Sequence, residues 1–274
     1  MKNAGDAAGT PKWTLAISAI QMVTTTFTDR IRWGLIMFPD KTMPACEQSP
    51  GSPYIPVGDA NVGSIQGLLT QALNPSDPLY CANGPCETNI DTAVVQASAD
   101  PALADKTRAS FVLLLTDGKQ SSGCGGGAAD ANTNAAIASM AALGTGTFVV
   151  GFGTEVEPMQ LDMFAQLGGH PNPDPATDYY QASDGPSLQT ALDSIASSVV
   201  GCEFQLGQAP EDIKELYVFI DSKPIARDEM HKDGWDYDAT TMQVRFFGPS
   251  CDGLRDGTLV DIDIVYGCPE PTPE

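Results

Sequence analysis

The chain has 274 residues, with 35 acidic against 14 basic side chains and a formal net charge of -21. That length accommodates one α/β domain of roughly 200 residues and a small second unit, while the scarcity of Lys and Arg argues against nucleic acid or an anionic membrane as a partner, since both are held by clustered cations. No apolar run reaches the roughly 18 residues that a membrane-spanning helix needs, and the acidity leaves cations and basic surfaces open as partners or serves solubility alone.

From Lys12 to Thr28, apolar residues at Trp13, Ala16, Ile17, Ile20, Val23 and Phe27 recur at helical spacing. Ile31 to Phe38 follows as a near-continuous apolar strand, the character of a strand buried on both faces of a parallel sheet. A Pro-rich loop leads to a short strand near Tyr54 to Val57, and Asn61 to Leu73 has the periodicity of a helix. The polar stretch Asn74 to Glu87 delivers Thr88 to a helix over Asn89 to Ser98. Ser110 to Leu115 is the most strand-like run of the chain and is stopped by Thr116-Asp117-Gly118.

Beyond a Gly-rich loop, Asp130 to Leu143 is an Ala-rich helix, Gly146 to Gly151 a strand, Pro158 to Leu167 a helix, Asp178 to Ala182 a short strand and Ser187 to Val200 a helix. Strand and helix in alternation predict an α/β fold with a doubly wound, mostly parallel sheet over residues 1–200. After Val200 the texture changes to short alternating runs separated by turn signals such as Asp233-Gly234 and Asp252-Gly253. This predicts a small all-β, sandwich-like module over 201–268, followed by a Pro-rich disordered tail over 269–274.

Seven cysteines lie in loop-like sequence: Cys46, Cys81, Cys86, Cys124, Cys202, Cys251 and Cys268. They suggest disulfides and an oxidising compartment. Cys202 paired with either Cys268 or Cys251 would staple the C-terminal module. The Cys81-x4-Cys86 spacing is wider than a zinc knuckle and has no His beside it. The start at Met1-Lys2-Asn3-Ala4-Gly5 has no basic and apolar regions of a signal peptide, which sits oddly with export.

Four features together resemble the von Willebrand factor A domain. They are Met1 with its polar lead into the first helix, the strand ending in Phe38-Pro39-Asp40, the run Glu87-Thr88-Asn89-Ile90-Asp91-Thr92-Ala93-Val94, and Leu113-Leu114-Leu115-Thr116-Asp117-Gly118. In that family the first strand ends in Asp-x-Ser-x-Ser, often followed by Met, and these side chains form the core of a metal-ion-dependent adhesion site. The resemblance implies that Thr88 and Asp117 are metal ligands for Mg²⁺, or Mn²⁺ or Ca²⁺. It implies a protein ligand whose acidic side chain completes the metal shell, and a Rossmann-like sheet.

The chemistry is coherent, because hard divalent ions take carboxylate and hydroxyl oxygens, and ligands of open α/β sheets bind at the carboxyl ends of the strands. The Asp-x-Ser-x-Ser motif is absent from this sequence. The expectation is therefore a misassigned gene start, with the signal peptide and first strand upstream; the alternative is that the strands at 31–38 and 110–115 close directly on each other. Read without the resemblance, Asp117 is a turn residue, Thr88 a helix N-cap and Asp91 a first-turn dipole partner.

Asp233, Asp236 and Asp238 carry part of a calcium-loop pattern without its completion. His170 and His231 have no adjacent nucleophile. The functional expectation is a secreted, periplasmic or surface binding protein rather than an enzyme, or else a structural envelope module whose metal site is degenerate.

Overall fold

The computed structural model describes residues 1, 3–28, 30–40, 43, 46–49, 54–80, 87–105, 108–174, 176–256, 259 and 262–266. Cys81, Cys86, Cys268 and the tail over 269–274 lie outside them. The chain divides into two units, Met1–Leu192 and Asp193–Glu274, with the seam inside a helix.

The first unit opens with α1 (Lys12–Thr26), whose exposed first N–H groups are satisfied by the chain folding back on itself: Lys12 N donates to Asn3 O at 2.9 Å and Trp13 N to Met1 O at 2.8 Å. β1 (Trp33–Leu35) and β2 (Ile55–Gly58) pair antiparallel as a two-stranded sheet. With α1 and α2 (Val62–Ala72) they enclose a core of Trp13, Ile17, Met37, Ile65, Leu69 and Ala72. The Trp13 indole N–H donates to Ala72 O at 2.8 Å and pins α1 to the end of α2.

This corrects the reading of Ile31 to Phe38 as a long parallel strand. The ladder stops after Leu35, and the carbonyl of Met37 is taken by the Gln48 side chain at 2.7 Å.

Next come α3 (Ile90–Ser98), β3 (Ser110–Thr116), α4 (Gly127–Ala142), β4 (Thr145–Phe152), α5 (Pro158–Leu167), β5 (Tyr180–Ala182) and α6 (Gly185–Val199). β3, β4 and β5 form a parallel sheet in that order, joined by the helical crossovers that parallel strands require. All eight residues of β4 are buried, as its run of Val and Phe between two neighbours demands. Ile90 and Val94 of α3, Ile137 and Met140 of α4, and Leu161 and Phe164 of α5 pack on Leu114 and Val149, covering one sheet face.

Gly151 is dictated by this packing, because a β-carbon there would stand 2.7 Å from the Tyr179 ring and 2.9 Å from Leu161. The expected α/β architecture is thus present as a parallel three-stranded sheet accompanied by antiparallel sheets. Among the described residues β3 does not pair with β1, so the two strands do not close on one another.

The second unit contains β6 (Glu203–Gln205), β7 (Leu216–Ile220), β8 (Lys223–Ile225), β9 (Gly234–Asp238), β10 (Gln243–Phe247), α7 (Gly248–Asp256) and β11 (Ile262–Tyr266). Two antiparallel sheets, ordered β6-β10-β9 and β11-β7-β8, share a core of Leu216, Val218, Ile220, Trp235, Val244 and Phe246. A disulfide joins Cys202 to Cys251 and so ties the entry of the unit to α7. Of the two partners open to Cys202 in the sequence, Cys251 is the one used.

α7 and β8 are additions to what the sequence suggested. The first forms across Gly248-Pro249 because tertiary contacts override a turn-like sequence: Ser250 N and Oγ both bond Asp233 Oδ1, at 3.1 and 2.8 Å, and Leu254 is fully buried.

Candidate functional site at the carboxyl edge of the parallel sheet

β3 ends in Thr116, whose hydroxyl donates to Gly118 O at 2.9 Å and accepts from Gly118 N at 3.3 Å, closing a tight turn that presents Asp117. The Asp117 side chain is 12% exposed. The loop before α3 is stitched to the segment after this turn: Thr88 N donates to Ser121 Oγ and Ser121 N donates to Thr88 O, both at 2.8 Å.

Gly118 carries no β-carbon, and one placed there would sit 4.0 Å from the Thr88 hydroxyl. The structure therefore brings Thr88 and the Asp117 turn to one edge. Thr88 is not the cap of α3; Asn89 holds the N-cap position. Asp91 lies in the first turn of the helix, where a carboxylate opposes the positive end of the helix dipole.

The residue that holds this edge together carries no sequence motif. Gln120, 5% exposed, accepts from Ile90 N at 2.7 Å and donates to both Asp91 Oδ1 and Cys124 O at 2.9 Å. Cys124 is bonded to Cys46, in a loop that Thr92 Oγ1 also meets through Cys46 O at 3.4 Å. Asn89, fully buried, reaches Gln48 Oε1 at 3.2 Å. Three loops are thus laced into one unit by a covalent bridge and buried amides. This disulfide and Cys202–Cys251 fit an oxidising, extracytoplasmic environment.

The electrostatics of the edge centre on a lysine. Lys12, on the first turn of α1 and 5% exposed, places its ammonium 3.4 Å from Glu155 Oε2 and 3.9 Å from Asp117 Oδ2. The α-ammonium of Met1 is ion-paired with the same Asp117 oxygen. Asn3 Nδ2 donates to both Glu155 oxygens, at 3.1 and 2.9 Å, and this, with Lys12, holds the Glu155 carboxyl below its ordinary range.

Gly153 leaves room for the ammonium in this position. It follows β4 with φ +91°, and a β-carbon there would lie 2.5 Å from Lys12 Nζ.

Beside the edge, Asp130 in the first turn of α4 has its carboxyl pushed up by burial, with Asp91 and Glu157 adding repulsion and the Gln160 amide opposing it. An acid raised in the folded state is most stable protonated, so its charge costs stability as pH rises through the raised value. Asp130→Asn should therefore raise unit-1 stability at pH 7 by about 0.5–1 kcal/mol. The gain should vanish below pH 3.8, where the carboxyl is protonated in folded and unfolded chains alike. Urea unfolding at the two pH values checks this; an equal gain at both would remove the charge explanation.

The oxygen donors of Thr88 and Asp117 are the kind a hard divalent ion takes. The set is nevertheless short: among the described residues no group of three His, Cys, Asp or Glu side chains could hold a metal, and Asp117 already faces the Lys12 ammonium. The residues described do not fit a self-sufficient metal site.

The other candidates disperse. Asp233 bonds Ser250, Asp236 pairs with Arg227 and His231, and Asp238 accepts backbone N–H groups of its own turn, so no calcium loop is built. His170 packs between Phe111 and Phe148, and His231 stacks on Phe247 at 4.2 Å. No described helix is long and apolar enough to cross a membrane.

No family model and no curated protein matches the chain. Solved structures that match include a conserved hypothetical protein, BatB, from Bacteroides thetaiotaomicron, at 15% identity and TM-score 0.48, covering 69% of this chain and 88% of that one. They also include proximal thread matrix protein 1 from the mussel byssus, at 13% identity and TM-score 0.45, covering 69% of this chain and 41% of that one. Overlaps this loose carry no argument about family or function.

Proposed function

We propose that the chain is a protein-interaction module of the von Willebrand factor A type from an extracytoplasmic protein. It engages a protein ligand at the carboxyl edge of β3-β4-β5, and it works there without a metal. The observation that carries the reading is the convergence of Thr88 and Asp117 at one edge, on loops laced by Gln120 and the Cys46–Cys124 bridge. Such a platform holds recognition side chains on a rigid scaffold, which lowers the ordering cost of binding. Among the described residues no nucleophile, base and orienting group meet at this edge, and binding rather than chemistry is the role proposed.

The metal-free form, which suits a structural module of an envelope assembly, is favoured by the Lys12 ammonium at Asp117. The Mg²⁺-dependent form that the sequence resemblance implies would need further oxygen ligands.

The test is comparative capture from the envelope fraction of the source cells, with the whole chain and its Thr88→Ala and Asp117→Asn variants as baits. A protein retained by the parent and lost with both variants supports the proposal. Identical capture by all three baits removes this edge as the interaction site.

A further inference from the structure

We propose that Lys12 is the resident cation of this edge, supplying from within the chain the positive charge that faces Asp117 and Glu155, and thereby excluding divalent ions. The inference rests on the reading of this edge as the interaction site. It concerns what sets the site's metal independence, which no motif in the sequence records.

The geometry that carries it has three parts. Lys12 is nearly fully buried, a state rare for lysine unless its charge is matched. Its ammonium is shared by two carboxylates from different loops, Asp117 after β3 and Glu155 after β4, at 3.9 and 3.4 Å. It passes Gly153, where a β-carbon would stand 2.5 Å from Nζ and displace the ammonium from this position.

A lysine merely snorkelling from a core would carry its ammonium outward to water. Here α1 delivers it inward, against the acidic edge. A divalent ion entering at Asp117 would stand within a few ångströms of that ammonium, and like charges in a partly desolvated setting repel strongly. The carboxylates would have to release the lysine before they could bind the ion.

Removing the lysine should then let a divalent ion approach Asp117 and Glu155, weakly in absolute terms because two carboxylates fall short of a full ligand set. The experiment is Mn²⁺ titration by calorimetry on the parent chain and on Lys12→Met and Lys12→Arg. Each is N-terminally acetylated, so that the second ammonium at Asp117 is also removed. Thermal melting is followed in parallel.

Lys12→Met should bind Mn²⁺ at least tenfold more tightly than the parent, should lose that binding when Asp117→Ala is added, and should melt lower than the parent until Mn²⁺ restores it. Lys12→Arg, which keeps the charge, should behave as the parent. Lys12→Gln offers the same comparison if the methionine prevents folding. Equal affinity in parent and Lys12→Met, or binding in neither, would overturn the inference. Either result leaves the capture experiment to decide the interaction reading on its own.

Discussion

Replacing Cys46 and Cys124 together by alanine should lower the stability of the first unit by about 4 kcal/mol, the loop-closure effect for a bridge between residues this far apart. Their sequence separation is 78 residues. The bridge joins the loop after β1 to the segment after β3, and no backbone ladder among the described residues links those two strands. Among the described residues, side-chain bonds such as Asn89 to Gln48 and Thr92 to Cys46 O tie the same loop to the start of α3. Urea unfolding of the double variant against the parent, with and without reductant, measures the effect. A midpoint that reductant shifts in the parent but not in the variant supports the assignment, whereas an unshifted parent under reduction would contradict it.

The second large effect is expected at Gln120. Its alanine variant removes the acceptor for Ile90 N and the donors to Asp91 and Cys124 O, leaving buried polar groups without partners. Each orphaned group costs on the order of 1 kcal/mol or more, so a loss of about 3 kcal/mol is expected. The Ile90 amide should exchange with solvent at least tenfold faster than in the parent. An unchanged exchange rate would show that another group caps α3. Gln120 and the Cys46–Cys124 bridge meet at Cys124, so the combined variant should lose less than the sum of the two.

Much of the fold was legible because its signals are local. Pro158 opens α5 at the residue where the helix begins, as its fixed φ and missing N–H favour. The apolar run of β4 and the Asp-Gly stop after β3 likewise need no tertiary information.

The failures are tertiary. β8 was hidden because its turn uses Asp221 and Ser222, with φ of 49° and 61°, where the usual signal would be Asn-Gly. At the candidate site, Thr88 and Asp117 are singled out by resemblance alone. Lys12 and Glu155 were not, because they stand 143 residues apart and meet only once α1 lies against the end of β4. Gln120 was invisible for a different reason: a buried glutamine has no periodic or spacing signature, and its value lies wholly in which backbone groups surround it.

The Cys202–Cys251 bridge has a mechanical consequence. Tension applied to the chain beyond the second unit cannot extend the segment between these cysteines, because the load passes through the sulfur–sulfur bond. The bridge spans 49 residues of sequence, and at about 3.5 Å per extended residue it withholds roughly 170 Å of contour length. β6 to β10 lie within that closed loop and would be shielded from pulling force, while β11 lies outside it and would be drawn from β7 first. The module would respond to load by a short yield followed by a hard stop, and reduction of one bond would convert that stop into slack.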